Sequence, residues 1–135
     1  MLNVDWDAVA AEATDLLQRY IRIDTSNPPG NERLAADFLE GVLKDAGIES
    51  KRYDSAPGRT NLVADLTGET DEKPLILLNH TDVVPVEADQ WSVPPFDGLV
   101  RDGFVWGRGA LDMKGMGVLF KGAGIGTQTH GSAFV

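Results

Sequence analysis

The sequence predicts an α/β fold, in which helices pack on a sheet, from the order and the type of its apolar segments. Two segments with helical periodicity come first, and several short strand-like segments follow them. One of these, residues 74–78, has a continuous run of large apolar side chains after its proline, which is typical of a strand covered on both faces. With 135 residues, the chain is long enough for one ordinary domain.

The first helix is expected over residues 5–23, because apolar residues recur there at helical spacing. They are Trp6, Val9, Ala10, Ala13, Leu16, Leu17, Tyr20 and Ile21. The helix must end before Pro28 and Pro29, since no helix interior accepts a double proline. A second helix is expected over residues 32–46, and Gly47 suits a C-terminal cap after it.

Strands are expected at residues 50–53, 61–66 and 74–78. Residues 99–106 predict a hairpin, because Asp102-Gly103 suits a two-residue primed turn. A third helix is expected to begin within residues 113–120. Three glycines follow it, and each costs a helix about 1 kcal/mol relative to alanine. The chain from residue 121 onward is therefore expected to be irregular.

The composition excludes several classes of function. The formal net charge of -9 argues against a nucleic-acid partner and against docking on an anionic membrane surface. Because the chain has no cysteine, any metal ion must be held by His, Asp or Glu. The start of the chain has no signal-peptide pattern, and the longest strongly apolar run, residues 75–78, is too short to span a membrane. We therefore expect a cytoplasmic protein.

Two candidate site residues follow the central apolar strand. His80 and Asp82 stand at its carboxyl end, where ligands gather in open α/β sheets. If the strand continues through them, both side chains point to the same face. A carboxylate commonly orients the imidazole of a metal-binding histidine, so His80 is a candidate ligand and Asp82 its orienting partner. The spacing alone favours a plainer interpretation, a strand-end histidine beside a solvated aspartate.

The second candidate segment is residues 106–115. Two glycines flank Arg108, so the backbone turns tightly there or approaches something closely. Asp112 lies just before the third helix, and taken alone it suits a helix N-cap. Lys114 is interpreted as a solvated or capping charge rather than a catalytic amine. His130 has no metal-binding pattern around it and is interpreted as solvated.

Taken together, three segments resemble one family in their order and separation. They are residues 24–32, residues 77–86 with Trp91 and Pro95-Phe96 after them, and residues 107–115. They are similar to the aminoacylase, acetylornithine deacetylase and succinyl-diaminopimelate desuccinylase group, which belongs to metallopeptidase family twenty of clan MH. The resemblance runs over residues 1–119.

The resemblance implies a role for each candidate. His80 would be a ligand of one metal ion, Asp82 the catalytic residue that orients it, and Asp112 a bridge between two zinc ions, with cobalt as a substitute. It also implies a cis peptide bond between Asp112 and Met113. In such sites the metal ions polarise the scissile carbonyl and activate a water molecule. No other cofactor is implied.

The sequence also departs from the family. The general-base glutamate, its neighbouring ligand glutamate, a further acidic ligand, the last ligand histidine and the dimerisation domain come later in the family and are not found here. After Leu119 the family pattern is lost. We therefore expect an incomplete zinc-exopeptidase-like mixed sheet flanked by helices. Residues 1–119 would be the N-terminal part of a metallohydrolase catalytic domain, and residues 120–135 an irregular tail.

The expected function is metal-dependent hydrolysis of an amide bond in a peptide or a small N-acylated amino acid, as in aminoacylases and deacetylases. This chain is expected to be inactive alone, and without a dimerisation domain although the family is often dimeric. An alternative from another class is a non-catalytic remnant that binds a partner through an unfinished sheet edge. A third is a domain that binds metal through His80 and Asp112 only, fewer ligands than zinc usually takes.

Overall fold

The computed structural model describes residues 4–66, 73, 75–126 and 132–133. Two helices come first, five short strands follow them, and a third helix and a sixth strand come last, with one short 3₁₀ turn at Ala88–Gln90 between the third and fourth strands. In chain order the elements are α1 (Trp6–Ile21), α2 (Glu32–Asp45), β1 (Ser50–Ala56), β2 (Arg59–Ala64), β3 (Ile76–Leu77), β4 (Leu99–Arg101), β5 (Phe104–Trp106), α3 (Lys114–Gly126) and β6 (Ser132–Ala133). No helix in these residues has the length and the apolar character that crossing a membrane requires.

The first two helices form where their periodicity predicts them. The carboxylate of Asp5 caps α1 by accepting a hydrogen bond from the backbone N–H of Ala8 at 3.1 Å. The end of α2 is closed by Gly47, whose φ of 73° is a conformation that glycine adopts without strain. The backbone N–H of Ile48 then reaches back to the carbonyl of Leu43 at 2.9 Å. The predicted glycine cap is confirmed.

The core lies between the helices and the β1–β2 hairpin. α1 packs on α3, and α2 packs on β2. The buried cluster at their centre draws residues from all four of these elements: Leu16, Tyr20, Ala35, Ala36, Leu39, Leu43, Leu62, Ala64 and Val118. The apolar stripes that predict α1 and α2 are therefore the faces that meet in the core.

The strands form both parallel and antiparallel pairs, so the fold is mixed α/β as predicted. β1 pairs with β2 and β4 with β5, both antiparallel, and β3 pairs with β6 in parallel. The predicted hairpin at residues 99–106 is confirmed. Its two turn residues, Asp102 and Gly103, have φ angles of 55° and 80°, as a primed turn requires.

The apolar segment 74–78 differs from its prediction. Among residues 75–78, the described part of the segment, only Ile76 and Leu77 are in strand conformation, and Leu75, Ile76 and Leu78 are 61%, 62% and 74% exposed. The expectation of a strand covered on both faces is therefore wrong for this chain. The physical reason is a lack of neighbours, because among the described residues β3 pairs only with the two residues of β6.

The third helix continues to Gly126, so the expected irregular chain is wrong for residues 121–126. The first half of this helix is held by packing on α1. Val118 is buried in the core, and a Cβ on Gly115 would lie 2.3 Å from the carbonyl oxygen of Ala110, too close for any side chain. The domain boundary between residues 119 and 120 stays a prediction. His130 lies outside the described residues.

Candidate metal centre

Two loops lie side by side and hold the candidate site. The loop after α1 runs parallel to the loop after β3. The hydroxyl of Thr25, which is fully buried, donates to the carbonyl of Thr81 at 2.6 Å. The backbone N–H of Val83 donates to the carbonyl of Thr25 at 3.1 Å, and that of Asn27 donates to the carbonyl of Val83 at 2.9 Å. These bonds fix the backbone on both sides of Asp82.

His80 and Asp82 meet, although not for the reason that the sequence suggested. They lie beyond β3, in a loop, so the alternation of side chains along a strand does not apply. The loop itself turns Asp82 toward the ring. His80 Nδ1 lies 3.1 Å from Asp82 Oδ1 and 3.0 Å from the backbone carbonyl oxygen of Asp82. The solvated-aspartate alternative is therefore wrong, because the carboxylate contacts the ring and is only 32% exposed.

Asp112 comes to the same ring from the other side. His80 Nε2 lies 3.0 Å from Asp112 Oδ1, so the convergence expected from the motifs is present. The Asp112–Met113 peptide bond is cis, as the resemblance implies. The carboxylate is 85% exposed and binds His80 rather than capping α3, which begins two residues later. The helix-cap interpretation of Asp112 is therefore wrong.

The glycines around Arg108 place Asp112, as their positions in the sequence suggested. A Cβ on Gly107 would lie 2.5 Å from Ile21 Cγ2, so only glycine lets this backbone approach α1 so closely. Gly109 has a φ of 84° and forms the turn toward Asp112. The loop is thus held against the end of α1.

Lys114 links the same loop to α1 through buried hydrogen bonds. Its side chain is fully buried, and Nζ donates to the carbonyl oxygens of Ile23 at 2.6 Å and Tyr20 at 3.2 Å, at the C-terminal end of α1. Burial lowers the pKa of Lys114 to about 8, against the opposing charge of Asp24. The capping interpretation of Lys114 is confirmed, and the solvated one is wrong. No signal in the sequence distinguishes this lysine from a surface one.

Charge and hydrogen bonding set the protonation of the site. Partial burial alone would lower the pKa of His80, but the hydrogen bonds and charges of Asp112 and Asp82 outweigh it and raise the pKa above 6.5. The pKa of Asp82 is lowered, chiefly by a hydrogen bond from the side-chain amide of Asn27 at 2.9 Å, against partial burial and with help from His80. Asn27 is a site residue that no sequence argument singled out.

The donor set is partly suited to zinc. A neutral imidazole carries one N–H, so a ring that donates from Nδ1 to Asp82 presents a lone pair on Nε2 toward Asp112. A nitrogen and a carboxylate oxygen facing each other are ligands that zinc takes. Within the described residues, however, no group of three or more His, Cys, Asp or Glu side chains could hold an ion. The pair therefore fits part of a zinc site.

A polar cleft of about 190 Å³ opens beside His80 and Asp82. Across it lie Glu32, from the first turn of α2, and Arg59, from the start of β2, which form an ion pair at 2.7 Å. The remaining lining residues are polar as well: Ser55, Thr60, Asn61, Asn79 and Thr81. A small polar molecule could reach the candidate pair from this cleft.

Known proteins share these segments. The family model described as "Peptidase family M20/M25/M40" matches residues 76–124. Aminoacylase-1 of Sus scrofa is 40% identical over 101 residues, which are 73% of this chain and 25% of that protein. Succinyl-diaminopimelate desuccinylase of Roseobacter denitrificans is 41% identical over 92 residues, 67% of this chain and 24% of that protein. The chain thus spans about a quarter of the length of these relatives.

Solved structures share the fold. A metallo-carboxypeptidase of the M20 family from Sulfolobus solfataricus superposes with a TM-score of 0.76 at 20% identity, covering 91% of this chain and 30% of that one. Human carnosine dipeptidase 1 superposes with a TM-score of 0.70 at 20% identity, covering 95% of this chain and 31% of that one. At this identity the likeness concerns the fold alone.

Proposed function

The chain belongs to peptidase family M20/M25/M40, and from that premise we propose that it carries part of the active site of a metal-dependent amide hydrolase. One observation supports this proposal above the others. His80 is held between two carboxylates, with Asp82 on Nδ1 and Asp112 on Nε2, which is how a metal-binding imidazole is oriented and presented.

We assign His80 Nε2 and Asp112 as ligands of a zinc ion, with cobalt as a substitute. Such an ion would polarise the amide carbonyl and lower the pKa of a water molecule. Asp82 keeps the proton on Nδ1, so that Nε2 stays free to bind metal. Asp112 is mostly exposed, so its second oxygen is available to a second ion.

The substrate class follows from the relatives and from the cleft. Aminoacylase-1 and succinyl-diaminopimelate desuccinylase are named for N-acyl substrates, and a solved neighbour is described as a dipeptidase. We propose a small N-acylated amino acid or a dipeptide as the substrate. The cleft beside His80 is small and polar, which suits a ligand of that size.

The complete reaction needs more than these residues. Zinc usually takes four protein ligands at structural sites and three at catalytic ones, and within the described part of the chain we assign two. A positioned general base contributes a factor of about 10²–10⁴, and no described residue is assigned that role. We therefore propose that the 135-residue chain alone does not hydrolyse amides at a useful rate.

The test joins this chain to the remaining three quarters of Sus scrofa aminoacylase-1, in place of the matching quarter. With zinc, the fusion is expected to hydrolyse N-acetyl amino acids, and His80→Ala or Asp112→Ala should abolish this. Lys44→Met, an exposed change on α2, is the matched control that should leave the rate unchanged. Full activity of the folded His80→Ala fusion would refute the proposed site.

A second candidate function has one observation in its favour. Leu75, Ile76 and Leu78 form an exposed apolar strip around β3, and such strips often mark a protein interface. A chain that acts as an interaction module would use this strip. Size-exclusion chromatography distinguishes the two proposals, because a module of this kind elutes in a stable complex rather than as a 14.6 kDa monomer.

A further inference from the structure

Asp82 is held by a partner on each of its two carboxylate oxygens. Oδ1 lies 3.1 Å from His80 Nδ1, and Oδ2 accepts a hydrogen bond from the side-chain amide of Asn27 at 2.9 Å. A carboxylate with one partner can rotate about its Cβ–Cγ bond and offer either oxygen. With Asn27 on Oδ2, the plane of the carboxylate is set, and so is the oxygen that faces the ring.

Backbone hydrogen bonds fix the position of Asn27, which carries the donor amide. Its backbone N–H donates to the carbonyl of Val83, the residue after Asp82, at 2.9 Å. On the preceding residue, both the backbone N–H and the hydroxyl of Ser26 donate to Asp24 Oδ1, at 2.9 and 2.6 Å. The backbone of Asn27 is therefore fixed against the neighbouring loop that carries Asp82, and its side chain adds a separate bond to the carboxylate.

We propose that Asn27 is a positioning residue for the metal ligand His80 and acts through Asp82. Its amide fixes the carboxylate of Asp82, which lies 3.1 Å from Nδ1 beside the backbone carbonyl of Asp82 at 3.0 Å. Carboxylate and carbonyl together hold the proton of the neutral ring on Nδ1, so that Nε2 is presented toward Asp112. The part of the proposal that concerns the metal rests on the proposed function. The part that concerns the ring does not, because it describes the protein without metal.

An isosteric pair of variants isolates this role. Asn27→Asp keeps the shape of the side chain but replaces the N–H donor by an acceptor and places a negative charge against Asp82. Asn31→Asp makes the same change in the same loop, at an exposed side chain that forms no hydrogen bond with the start of α2. Both variants add the same charge, so a difference between them reports the contact with Asp82.

The first measurement uses metal-free protein with ¹⁵N-labelled histidine, at a pH high enough to keep the rings neutral. The ring nitrogen shifts report which nitrogen of His80 carries the proton. The wild type and Asn31→Asp are expected to show the proton on Nδ1. Asn27→Asp and Asn27→Ala are expected to show a mixture. Unchanged His80 shifts in both Asn27 variants would overturn the proposal.

A double variant tests whether Asn27 acts through Asp82. Adding Asn27→Ala to Asp82→Ala is expected to change the His80 shifts no further than Asp82→Ala does alone. An additional change would mean that Asn27 acts by another route, for example by disturbing the loop, and would overturn the proposal. If Asn27→Asp does not fold, as judged by circular dichroism, Asn27→Ala and the double variant carry the test.

The second measurement is zinc affinity, by competition with a chromophoric chelator. Loss of a group that orients a ligand commonly weakens metal binding by about 10–100-fold, and Asn27→Ala is expected to weaken it by at least tenfold. Asn31→Ala should leave it unchanged. If the ring shifts respond to Asn27 but His80→Ala leaves zinc binding intact, the proposed function fails while the positioning role stands. Zinc affinity that is lost in His80→Ala but unchanged in Asn27→Ala would overturn the positioning of the metal ligand.

Discussion

Replacing Lys114 by methionine separates the charge of this buried lysine from its bulk. Methionine fills a similar volume and carries no charge, so the change removes the ammonium and its two hydrogen bonds to the end of α1. Those bonds contribute stability, while burying the charge opposes it. The balance depends on pH, because the charge can be removed by titration.

The size of the charge effect follows from the pKa of Lys114, which falls from 10.5 to about 8 on folding. Each pKa unit corresponds to about 1.4 kcal/mol, so burial of the charged form costs about 3 kcal/mol. Below pH 8 the lysine is charged in both folded and unfolded states, and the full cost is present. Between pH 8 and 10.5 the unfolded state binds more protons, so stability rises with pH. Above 10.5 the cost is gone.

The assay is urea denaturation of the wild type and Lys114→Met at several pH values from 7 to 10.5, followed by circular dichroism. Subtracting the unfolding free energy of the variant from that of the wild type at each pH cancels the contributions of groups that titrate alike in both proteins. The wild type is expected to gain about 3 kcal/mol of unfolding free energy relative to the variant across this interval. Lys44→Met, at an exposed position, is the control and should stay within about 0.5 kcal/mol of the wild type. A pH-independent difference between wild type and Lys114→Met would show that burial does not lower the pKa of Lys114.

Three further predictions concern the core and the reaction. Tyr20→Phe should raise stability by about 1 kcal/mol, because the buried hydroxyl of Tyr20 has no hydrogen-bond partner among the described residues; a loss on thermal unfolding would contradict this. Leu39→Ala should lower stability by about 2–5 kcal/mol and the half-exposed Leu34→Ala by less than 1, and equal effects in urea denaturation would show that the core is misplaced. The 135-residue chain with zinc or cobalt should hydrolyse N-acetyl amino acids and dipeptides no faster than the metal alone, whereas hydrolysis abolished by His80→Ala would show that the chain is an enzyme by itself.

Local signals in the sequence predicted most of the regular structure. The apolar periodicity of α1 and α2, the glycine after α2 and the Asp102-Gly103 turn each depend on a few neighbouring residues, and each is found in place. The exposure of Leu75 and Leu78 could not be predicted in this way. Their apolar side chains are typical of a strand buried on both faces. Burial, however, depends on whether segments distant in sequence pack against the strand.

In the candidate site, too, local motifs were predictable from the sequence and long-range contacts were not. The order of the motifs predicted that His80, Asp82 and Asp112 converge, and the distances agree, while their roles in metal binding stay a prediction. Asn27 was not singled out as a supporting residue, and the partners of Lys114 were not predicted. Their contacts join residues 55 and 91 or more positions apart, and only the folded backbone brings such partners together.

The most direct test of the metal centre is a crystal of this chain soaked in a zinc salt, with the anomalous difference map measured at the zinc edge. We expect one strong peak bonded to both His80 Nε2 and a carboxylate oxygen of Asp112, at about 2.0–2.2 Å from each. The peak should be absent from crystals of His80→Ala. A map without a peak at this pair, or with zinc bound only at other acidic side chains, would contradict the assignment of His80 and Asp112 as metal ligands.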